Sequence, residues 1–240
     1  MIIDMHCHIL PGIDDGARDE ESMERMLCIA DAEGIEAIVA TPHFTLGEDE
    51  KRIEAIKTKY DIARSVWKER GPQKELYLGS ELMWEDGIID ALESGKALTI
   101  NGTSYVLVEF LLNAGYEYIE NAIRRLQYAG YFPIIAHVER YEQLQKRNVL
   151  KKLFDMGAYL QVNVSTVLGK RGFWRRYRMM QCLKTGLVHF VGTDAHNSGG
   201  RRPEMKQCAQ YLEKKLGVVK TRQILEENPK KMLEGERLDG

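Results

Sequence analysis

Residues 1–16, MIIDMHCHILPGIDDG, combine a short apolar strand pattern with two histidines and a pair of aspartates. Side chains alternate between the two faces of a β-strand, so His6 and His8 point the same way and Cys7 points to the opposite face. Two imidazoles about 7 Å apart on one strand face can hold one metal ion or two adjacent ions. This stretch therefore predicts a strand that carries part of a metal site, with Cys7 in the core behind it.

Six further apolar segments have the length of strands, and amphipathic helical patterns separate them. The predicted strands are Ile2–His6, Glu36–Thr41, Glu75–Glu81, Ser104–Phe110, Phe132–His137, Ala158–Val164 and Leu187–Thr193. The predicted helices are Glu20–Glu33, Asp49–Arg70, Tyr116–Ala129, Glu142–Met156, Phe173–Lys184 and Pro203–Leu216, followed by short helices at Thr221–Glu227 and Pro229–Leu233.

This alternation predicts an α/β fold with a parallel sheet, and near-continuously apolar strands favour closure of the sheet into a barrel. The TIM barrel has eight βα units, so seven units predict a distorted (β/α)7 TIM-like barrel. A doubly wound open sheet is the alternative. A chain of 240 residues accommodates such a barrel as one domain, which we place over residues 1–240.

The composition limits which classes of binding partner and which cellular location we expect. A formal net charge of −2, with 29% charged residues, gives no global basic field that would indicate binding to nucleic acid or to a membrane surface. The sequence contains no apolar run of bilayer-spanning length and no signal peptide pattern at its start. We therefore predict a cytoplasmic protein with no nucleic-acid partner and no membrane insertion. The four cysteines lack CxxC spacing, which argues against a disulfide framework or a thiolate zinc site.

Imidazole and carboxylate side chains stand at the carboxyl ends of six predicted strands, where the active sites of such barrels lie. They are His6, His8, His43, Glu81, Glu109, His137, Asp194 and His196. Any one of them alone would more often be a satisfied polar group than a ligand, but the joint pattern is hard to obtain by chance. This donor set without thiolate suits Mn, Fe, Zn or Co, and its size predicts a cluster of two or three ions. His189 lies within a predicted strand and is interpreted as structural.

Four longer motifs carry a family resemblance. They are HCHILPGIDDGA at 6–17, ATPHF at 40–44, HVERY at 137–141 and TDAHNSGGRRP at 193–203. The chain resembles the polymerase and histidinol phosphatase (PHP) superfamily, and within it the CpsB/CapC-type manganese-dependent protein-tyrosine phosphatases of bacterial capsule and exopolysaccharide operons. The resemblance implies the PHP fold and a centre of Mn²⁺ ions. It also implies hydrolysis of phosphotyrosine on a protein by a metal-bound hydroxide, with a bacterial tyrosine autokinase as the natural partner.

The resemblance further implies which residues hold each ion. The first ion would be held by His6, His8, Glu81 and Asp194. Glu81 would bridge to a second ion that is completed by Glu109 and His137. The third ion would be held by Asp14, His43 and His196. Asp15 is the alternative to Asp14, because the two aspartates are adjacent.

Two arginines receive the role of phosphate clamp from the resemblance, Arg140 and Arg201. The planar guanidinium offers paired donors to phosphate oxygens, which suits this role. An ion pair with Glu139 or Glu142 is the alternative role for Arg140, and Arg202 is the alternative to Arg201.

Residues 170–178, KRGFWRRYR, form a concentrated basic run. The favoured interpretation is a solvated helix face with Phe173, Trp174 and Tyr177 packed beneath it. The alternative is a rim that attracts an acidic phosphopeptide.

Three rival functions are the alternatives to the phosphatase. Histidinol-phosphate phosphatase shares the fold and the metals. A PHP exonuclease would need a long basic groove, which the sequence does not indicate, and a catalytically silent scaffold would not need a full ligand set. No Cys-x5-Arg, GxxxxGK[ST] or GxGxxG pattern occurs.

Overall fold

The computed structural model describes residues 1–47 and 51–238. The predicted start of a helix at Asp49 and the last residues of the predicted domain 1–240 lie outside this range. The assignment of the whole chain to one domain stays a prediction.

The described residues contain nine strands, and every pairing between them is parallel. The strands are β1 (Ile3–Cys7), β2 (Ala37–Ala40), β3 (His43–Phe44), β4 (Glu75–Leu78), β5 (Glu81–Met83), β6 (Tyr105–Glu109), β7 (Phe132–Ile135), β8 (Tyr159–Asn163) and β9 (Phe190–Gly192). They form one sheet in the order β1-β2-β4 and another in the order β3-β5-β6-β7-β8-β9.

The predicted strand Glu36–Thr41 contains β2, and an additional short strand, β3, follows it beyond Pro42. Proline has no N–H for the ladder, and Pro42 separates β2 from β3. The predicted strand Glu75–Glu81 is two strands, β4 and β5, divided at Gly79 and Ser80. Hydrogen bonds from Gly79 N–H to Ala40 O and from Glu81 N–H to Pro42 O carry the pairing across both breaks. We call each continuous strand position of the barrel a stave. β2 with β3 forms one stave and β4 with β5 forms another, so the nine strands make up seven staves, as predicted.

The last stave meets the first. The N–H of Asp194 donates to His6 O at 2.8 Å, and the N–H of His8 donates to Ala195 O at 2.9 Å. Cys7 forms a parallel bridge with Ala195, and its fully buried side chain packs in the outer apolar core. These contacts join β1 to the segment after β9 and so link the last stave to the first. The prediction of a distorted (β/α)7 TIM-like barrel is confirmed, and the alternative of an open sheet is not.

Helices pack around the staves. They are α1 (Glu20–Ala32), α2 (Lys51–Lys68), α3 (Ile88–Glu93), α4 (Tyr116–Tyr128), α5 (Arg147–Asp155), α6 (Val164–Val167), α7 (Phe173–Lys184), α8 (Lys206–Leu216), α9 (Val218–Arg222) and α10 (Asn228–Glu234). Short 3-10 turns span Ile100–Gly102, Val138–Arg140 and Glu142–Leu144, and a π-helical turn spans Gln223–Glu227. In the described residues, no helix is both long and apolar enough to cross a membrane.

The predicted helix Glu142–Met156 is wrong as a single element. Lys146 has extended backbone angles, φ −80° and ψ 128°, and separates the turn Glu142–Leu144 from α5. The side chain of Gln145 donates to the carbonyls of Val138 and Tyr141, which ties this break to the loop after β7.

The side chains on the inner faces of the staves change from apolar to polar along the strands. On β8, Tyr159 packs in the inner apolar cluster with Tyr105 and Phe190, whereas Gln161 and Asn163 make polar contacts farther along the same face. The Tyr105 hydroxyl donates to Glu236 O at 2.7 Å, so the C-terminal segment covers the amino ends of the strands. The polar groups therefore gather at the carboxyl ends, which is where barrel folds hold their sites.

Candidate metal centre

His6 and His8 converge as the strand alternation predicts. Their Nε2 atoms lie 3.2 Å apart, and both side chains are fully buried. Oε2 of Glu81 lies 3.3 Å from Nε2 of His6 and 3.2 Å from Nε2 of His8. Oδ1 of Asp194 lies 3.7 Å and 3.6 Å from the same two nitrogens. The four side chains expected on the first ion therefore direct their ligand atoms at a common point.

Glu81 lies at the middle of the cluster. Its Oε2 is also 3.1 Å from Nδ1 of His43, and its Oε1 is 2.8 Å from Nε2 of His137. Oε2 is buried and has no hydrogen-bond partner among the described residues, although three imidazoles surround it. A buried, unsatisfied carboxylate oxygen among imidazole nitrogens has the surroundings of a metal-bridging ligand.

Glu109 extends the cluster from the end of β6. Its Oε1 lies 3.2 Å from Nδ1 of His43, and its Oε2 lies 3.5 Å from Nε2 of His137. His43 therefore faces both Glu81 and Glu109 with one ring nitrogen. The structure brings together the donors expected on the second ion, and it adds His43 to them.

The acidic pair after β1 behaves differently from the expectation. Oδ1 of Asp15 lies 3.4 Å from Nε2 of His43 and 3.3 Å from Nε2 of His196. Asp14 instead accepts a hydrogen bond from Nδ1 of His8 at 2.8 Å and one from the His43 N–H at 3.0 Å. The Asp14 side chain is 4% exposed and that of Asp15 is 64% exposed. The geometry thus favours Asp15, the alternative, as the third-site donor, with Asp14 behind His8.

Three overlapping groups of donors satisfy the spacing of a metal site, with ligand atoms that all lie within 4.8 Å of one another in each group. The groups are His8, Asp15, His43 and His196, then His6, His8 and Glu81, then His43, Glu81 and Glu109. Shared members link the groups, as a multinuclear centre requires. The residues therefore fit a cluster of divalent ions.

The carboxylates control the charge of the imidazoles. Burial opposes protonation of His6, but the negative charges of Glu81 and Asp194 outweigh it and raise the pKa of His6 to about 10. Burial also opposes protonation of His43, and contacts with Glu109 and Glu81 raise its pKa to about 9. Such a surplus of negative charge is the environment that favours bound cations.

His196 shows the opposite shift. Burial and the neighbouring positive charge of His8 lower the pKa of His196 to about 4, so its ring is neutral near pH 7. Nδ1 of His196 donates to Asp194 O at 3.0 Å, which directs Nε2 toward Asp15. A neutral imidazole with a free Nε2 is ready to bind a metal ion.

Two supporting residues on β8 were not predicted from the sequence, because this strand ends in amide side chains rather than in imidazoles or carboxylates. Oε1 of Gln161 accepts the His137 N–H at 2.6 Å and faces Nδ1 of His6 at 3.3 Å. Nδ2 of Asn163 donates to Oδ2 of Asp194 at 2.7 Å. Polar residues at every second position of an otherwise apolar strand were the available signal. All seven staves therefore contribute to the site.

Two predicted ligands have strained backbones. His137 has φ 33° and Asp194 has φ 53°, a left-handed conformation that residues other than glycine rarely adopt. Close packing fixes the histidines as well, because a Cβ on Gly192 would lie 2.7 Å from Cβ of His6, and one on Gly16 would lie 2.1 Å from His8 O. Strain of this kind is typical of functional sites.

Arg140 and Arg201 line a cavity of about 660 Å³ that reaches Asp194. Nη2 of Arg201 donates to Oδ1 of Asp194 at 2.9 Å, so this guanidinium lies at the edge of the centre. Arg202, the alternative, pairs instead with Glu204 at 3.1 Å. Among residues 1–47 and 51–238, Arg140 forms no ion pair, and in particular none with Glu139 or Glu142. Both arginines are therefore placed to meet an anion beside the centre.

The favoured interpretation of the basic run is wrong in one respect. Phe173, Trp174 and Tyr177 are 60%, 70% and 52% exposed, so they do not pack beneath a solvated face. His189 does have the predicted structural role. Its Nδ1 accepts the Leu160 N–H at 3.2 Å, its ring stacks on Phe154, and it belongs to none of the donor groups above.

The chain is similar to known proteins over nearly its whole length. Residues 2–234 match the family described as capsular polysaccharide synthesis, CpsB/CapC. The chain is 31% identical to tyrosine-protein phosphatase CpsB of Streptococcus pneumoniae over 97% of this chain and 98% of that protein. It is 33% identical to tyrosine-protein phosphatase YwqE of Bacillus subtilis over 90% of this chain and 85% of that protein.

Solved structures of those relatives share the fold. The structures of YwqE from Bacillus subtilis and CpsB from Streptococcus pneumoniae, unique metal-dependent tyrosine phosphatases, include a match with a TM-score of 0.89 and 30% identity. That match covers 99% of this chain and 96% of the solved one. By its sequence over nearly its whole length, and by its fold, the chain belongs to the CpsB/CapC family.

Proposed function

We propose that this chain is a metal-dependent protein-tyrosine phosphatase that hydrolyses the phosphomonoester of phosphotyrosine. The observation that carries the proposal is the position of Oε2 of Glu81, buried and unsatisfied, between 3.1 and 3.3 Å from nitrogens of His6, His8 and His43. The named activity of CpsB and YwqE supports the choice of reaction.

We propose that the ions are held by His6, His8, Asp15, His43, Glu81, Glu109, His137, Asp194 and His196. Mn²⁺ is the proposed metal because the family resemblance implies manganese, and imidazole and carboxylate donors without thiolate suit Mn as well as Fe, Zn or Co. Divalent ions held there would lower the pKa of water to near 7, and this chemistry would supply the nucleophile. Asp14 and Gln161 hold the rings of His8 and His6 so that each Nε2 faces the centre.

The two arginines act on the phosphate. Arg140 and Arg201 lie on the wall of the cavity that reaches Asp194, so their N–H groups can bind the phosphate oxygens that gain charge in the transition state. The paired donors of a guanidinium also orient the phosphorus toward the nucleophile. The leaving phenolate of tyrosine has a pKa near 10, so it requires less help from a general acid than an alkoxide does.

The partner and the location are proposals of the same kind. We propose a phosphotyrosine protein as the substrate, namely a bacterial tyrosine autokinase of capsule or exopolysaccharide synthesis, acting in the cytoplasm. The family description, capsular polysaccharide synthesis, supports the setting of capsule synthesis. Dephosphorylation of a co-expressed autokinase, read by a phosphotyrosine blot, tests it directly.

Histidinol phosphate is the rival substrate, and direct competition separates the two. We expect a higher kcat/KM for a phosphotyrosyl peptide than for histidinol phosphate with the Mn²⁺-loaded enzyme. A matched phosphoseryl peptide serves as the alkyl phosphate control. Faster turnover of histidinol phosphate would replace protein-tyrosine phosphatase by small-molecule phosphatase as the function.

A further inference from the structure

The cavity that Arg140 and Arg201 line is also lined by residues around the start of α7. Arg171 and Arg175 form part of its wall, as do Leu112 and Asn113. Arg171 also lines a smaller adjoining cleft together with Arg201 and Asp194. A volume of about 660 Å³ is that of a site for a ligand larger than one phosphorylated side chain. The cavity therefore has room for residues next to the phosphotyrosine.

The two arginines on this wall are available for a ligand. In the part of the chain that the structure describes, the side chains of Arg171 and Arg175 form no ion pair and no hydrogen bond. Arg176, one position farther along α7, differs because its guanidinium lies over the rings of Phe173 and Tyr211, at 5.8 and 5.7 Å. Arg178 is exposed on the same helix and is not part of the cavity wall.

The acidic groups of the cavity leave a positive balance at this wall. Asp194 is paired with Arg201. Glu139 is buried, and its Oε1 accepts hydrogen bonds from the Asn163 N–H and the Thr166 hydroxyl. Glu142 is exposed and lies on a different loop from Arg171 and Arg175. An anionic group that enters from the solvent side therefore meets two guanidiniums with no carboxylate bound to them.

We propose that Arg171 and Arg175 form a docking subsite for aspartate or glutamate side chains that flank the phosphotyrosine of the substrate. The inference rests on the proposed phosphatase function and adds a preference for acidic sequence around the target tyrosine. Guanidinium–carboxylate pairs at a partly exposed wall increase the association rate and the specificity more than they increase the affinity. The subsite therefore acts on kcat/KM for peptides and has no effect on a small aryl phosphate.

The test compares two phosphotyrosyl peptides of equal length, one with aspartate and glutamate around the tyrosine and one with asparagine and glutamine instead. The variants are Arg171→Glu with Arg175→Glu, the neutral Arg171→Gln with Arg175→Gln, and Arg178→Glu as the matched control. For the wild type we expect kcat/KM to be roughly tenfold higher for the acidic peptide. We expect this ratio to approach one in the neutral double variant, to invert in the charge-reversed one, and to be unchanged in Arg178→Glu.

Hydrolysis of p-nitrophenyl phosphate by each variant reports that the metal centre is intact. Binding of the same peptides with a non-hydrolysable phosphonate in place of the phosphate, measured by fluorescence anisotropy, gives a readout that needs no turnover. Absence of all hydrolysis would end the proposed function, and the binding ratio would still test the subsite. Equal kcat/KM and equal binding for the two peptides in the wild type, or an unchanged preference in the double variants, would overturn the docking proposal.

Discussion

Asp14 and His8 form a buried hydrogen-bonded pair, with 2.8 Å between Oδ2 and Nδ1, that directs Nε2 of His8 toward Glu81. Burial opposes ionisation of Asp14, but its hydrogen bonds from His8 and from backbone amides hold the pKa of this carboxyl below its usual range. A carboxylate behind a metal-binding histidine fixes the ring and increases its basicity. The pair therefore separates the roles of the two adjacent aspartates.

Substitution of the two aspartates should separate these roles in the metal content. We expect Asp15→Ala to lose one equivalent of bound metal, because the donor near His43 and His196 is removed. Asp14→Asn should keep the stoichiometry but weaken metal affinity by roughly 10- to 100-fold. Elemental analysis across a metal titration measures both effects, with Asp19→Asn at the N-cap of α1 as the control. Loss of a full equivalent in Asp14→Asn alone would restore Asp14 as the direct ligand.

Removal of either phosphate-binding arginine should slow the reaction with little change in fold. We expect Arg140→Ala and Arg201→Ala each to lower kcat for p-nitrophenyl phosphate about 10²-fold, because each removes a donor that stabilises transition-state charge. Lysine at these positions should restore only part of the activity, since it lacks the paired donors.

Arg202→Ala is the matched control, because Arg202 is paired with Glu204. It should retain wild-type kcat. Metal content is measured in parallel, since Arg201 contacts Asp194. Equal losses in Arg201→Ala and Arg202→Ala would refute the assignment of the clamp to Arg201.

Two glycines behind the histidines should be intolerant of a methyl group. A Cβ on Gly192 would approach Cβ of His6 to 2.7 Å, and a Cβ on Gly16 would approach Cβ of His8 to 2.6 Å. We expect Gly192→Ala and Gly16→Ala each to destabilise the fold by about 1–3 kcal/mol and to reduce metal affinity. Gly115→Ala, with open space around its Cβ position, should leave metal affinity unchanged. Chemical denaturation and metal titration measure both, and wild-type metal affinity in Gly192→Ala and Gly16→Ala would argue against tight packing of the histidine strand.

His189 should make the fold sensitive to acid independently of the metal centre. Burial, and secondarily the charge of Lys220, lowers the pKa of His189 to about 4 from its usual 6.5. The folded state therefore binds fewer protons here than the unfolded state, so the stability from neutral His189 is present above pH 6.5 and is lost as the pH falls toward 4.

The full shift corresponds to about 3 kcal/mol of unfolding free energy. Urea denaturation of wild type and His189→Asn from pH 7 to pH 4 measures it, and the stability advantage of the wild type should shrink across this interval. A difference that stays constant with pH would show that His189 does not titrate differently in the two states.

Much of the fold followed from patterns along the sequence. The alternation of apolar strands and amphipathic helices correctly predicts seven staves, because burial on both faces of a parallel sheet requires near-continuous apolar residues. The short strand β3 after Pro42, the break at Gly79–Ser80 and the separation of α5 from the preceding turn depend on local hydrogen bonds that a hydrophobic pattern does not contain.

The sequence also predicts most of the side chains that gather at the site. Ligand-type residues at strand ends indicate which side chains gather, since the carboxyl ends of parallel strands meet at one edge of the barrel. The choice between Asp14 and Asp15 was not predictable, because it depends on how one turn places two adjacent carboxylates. The support from Gln161 and Asn163 was missed because amides are not typical metal ligands.

The central claim is that the gathered histidines and carboxylates hold the metal on which phosphotyrosine hydrolysis depends. The most direct measurement is hydrolysis of a phosphotyrosyl peptide by chelator-treated enzyme, before and after addition of Mn²⁺, with Mg²⁺ and Zn²⁺ as comparisons. We predict loss of activity on chelation and its return with Mn²⁺, and no return in Glu81→Gln. Full activity in enzyme shown to be free of metal by elemental analysis would contradict the account.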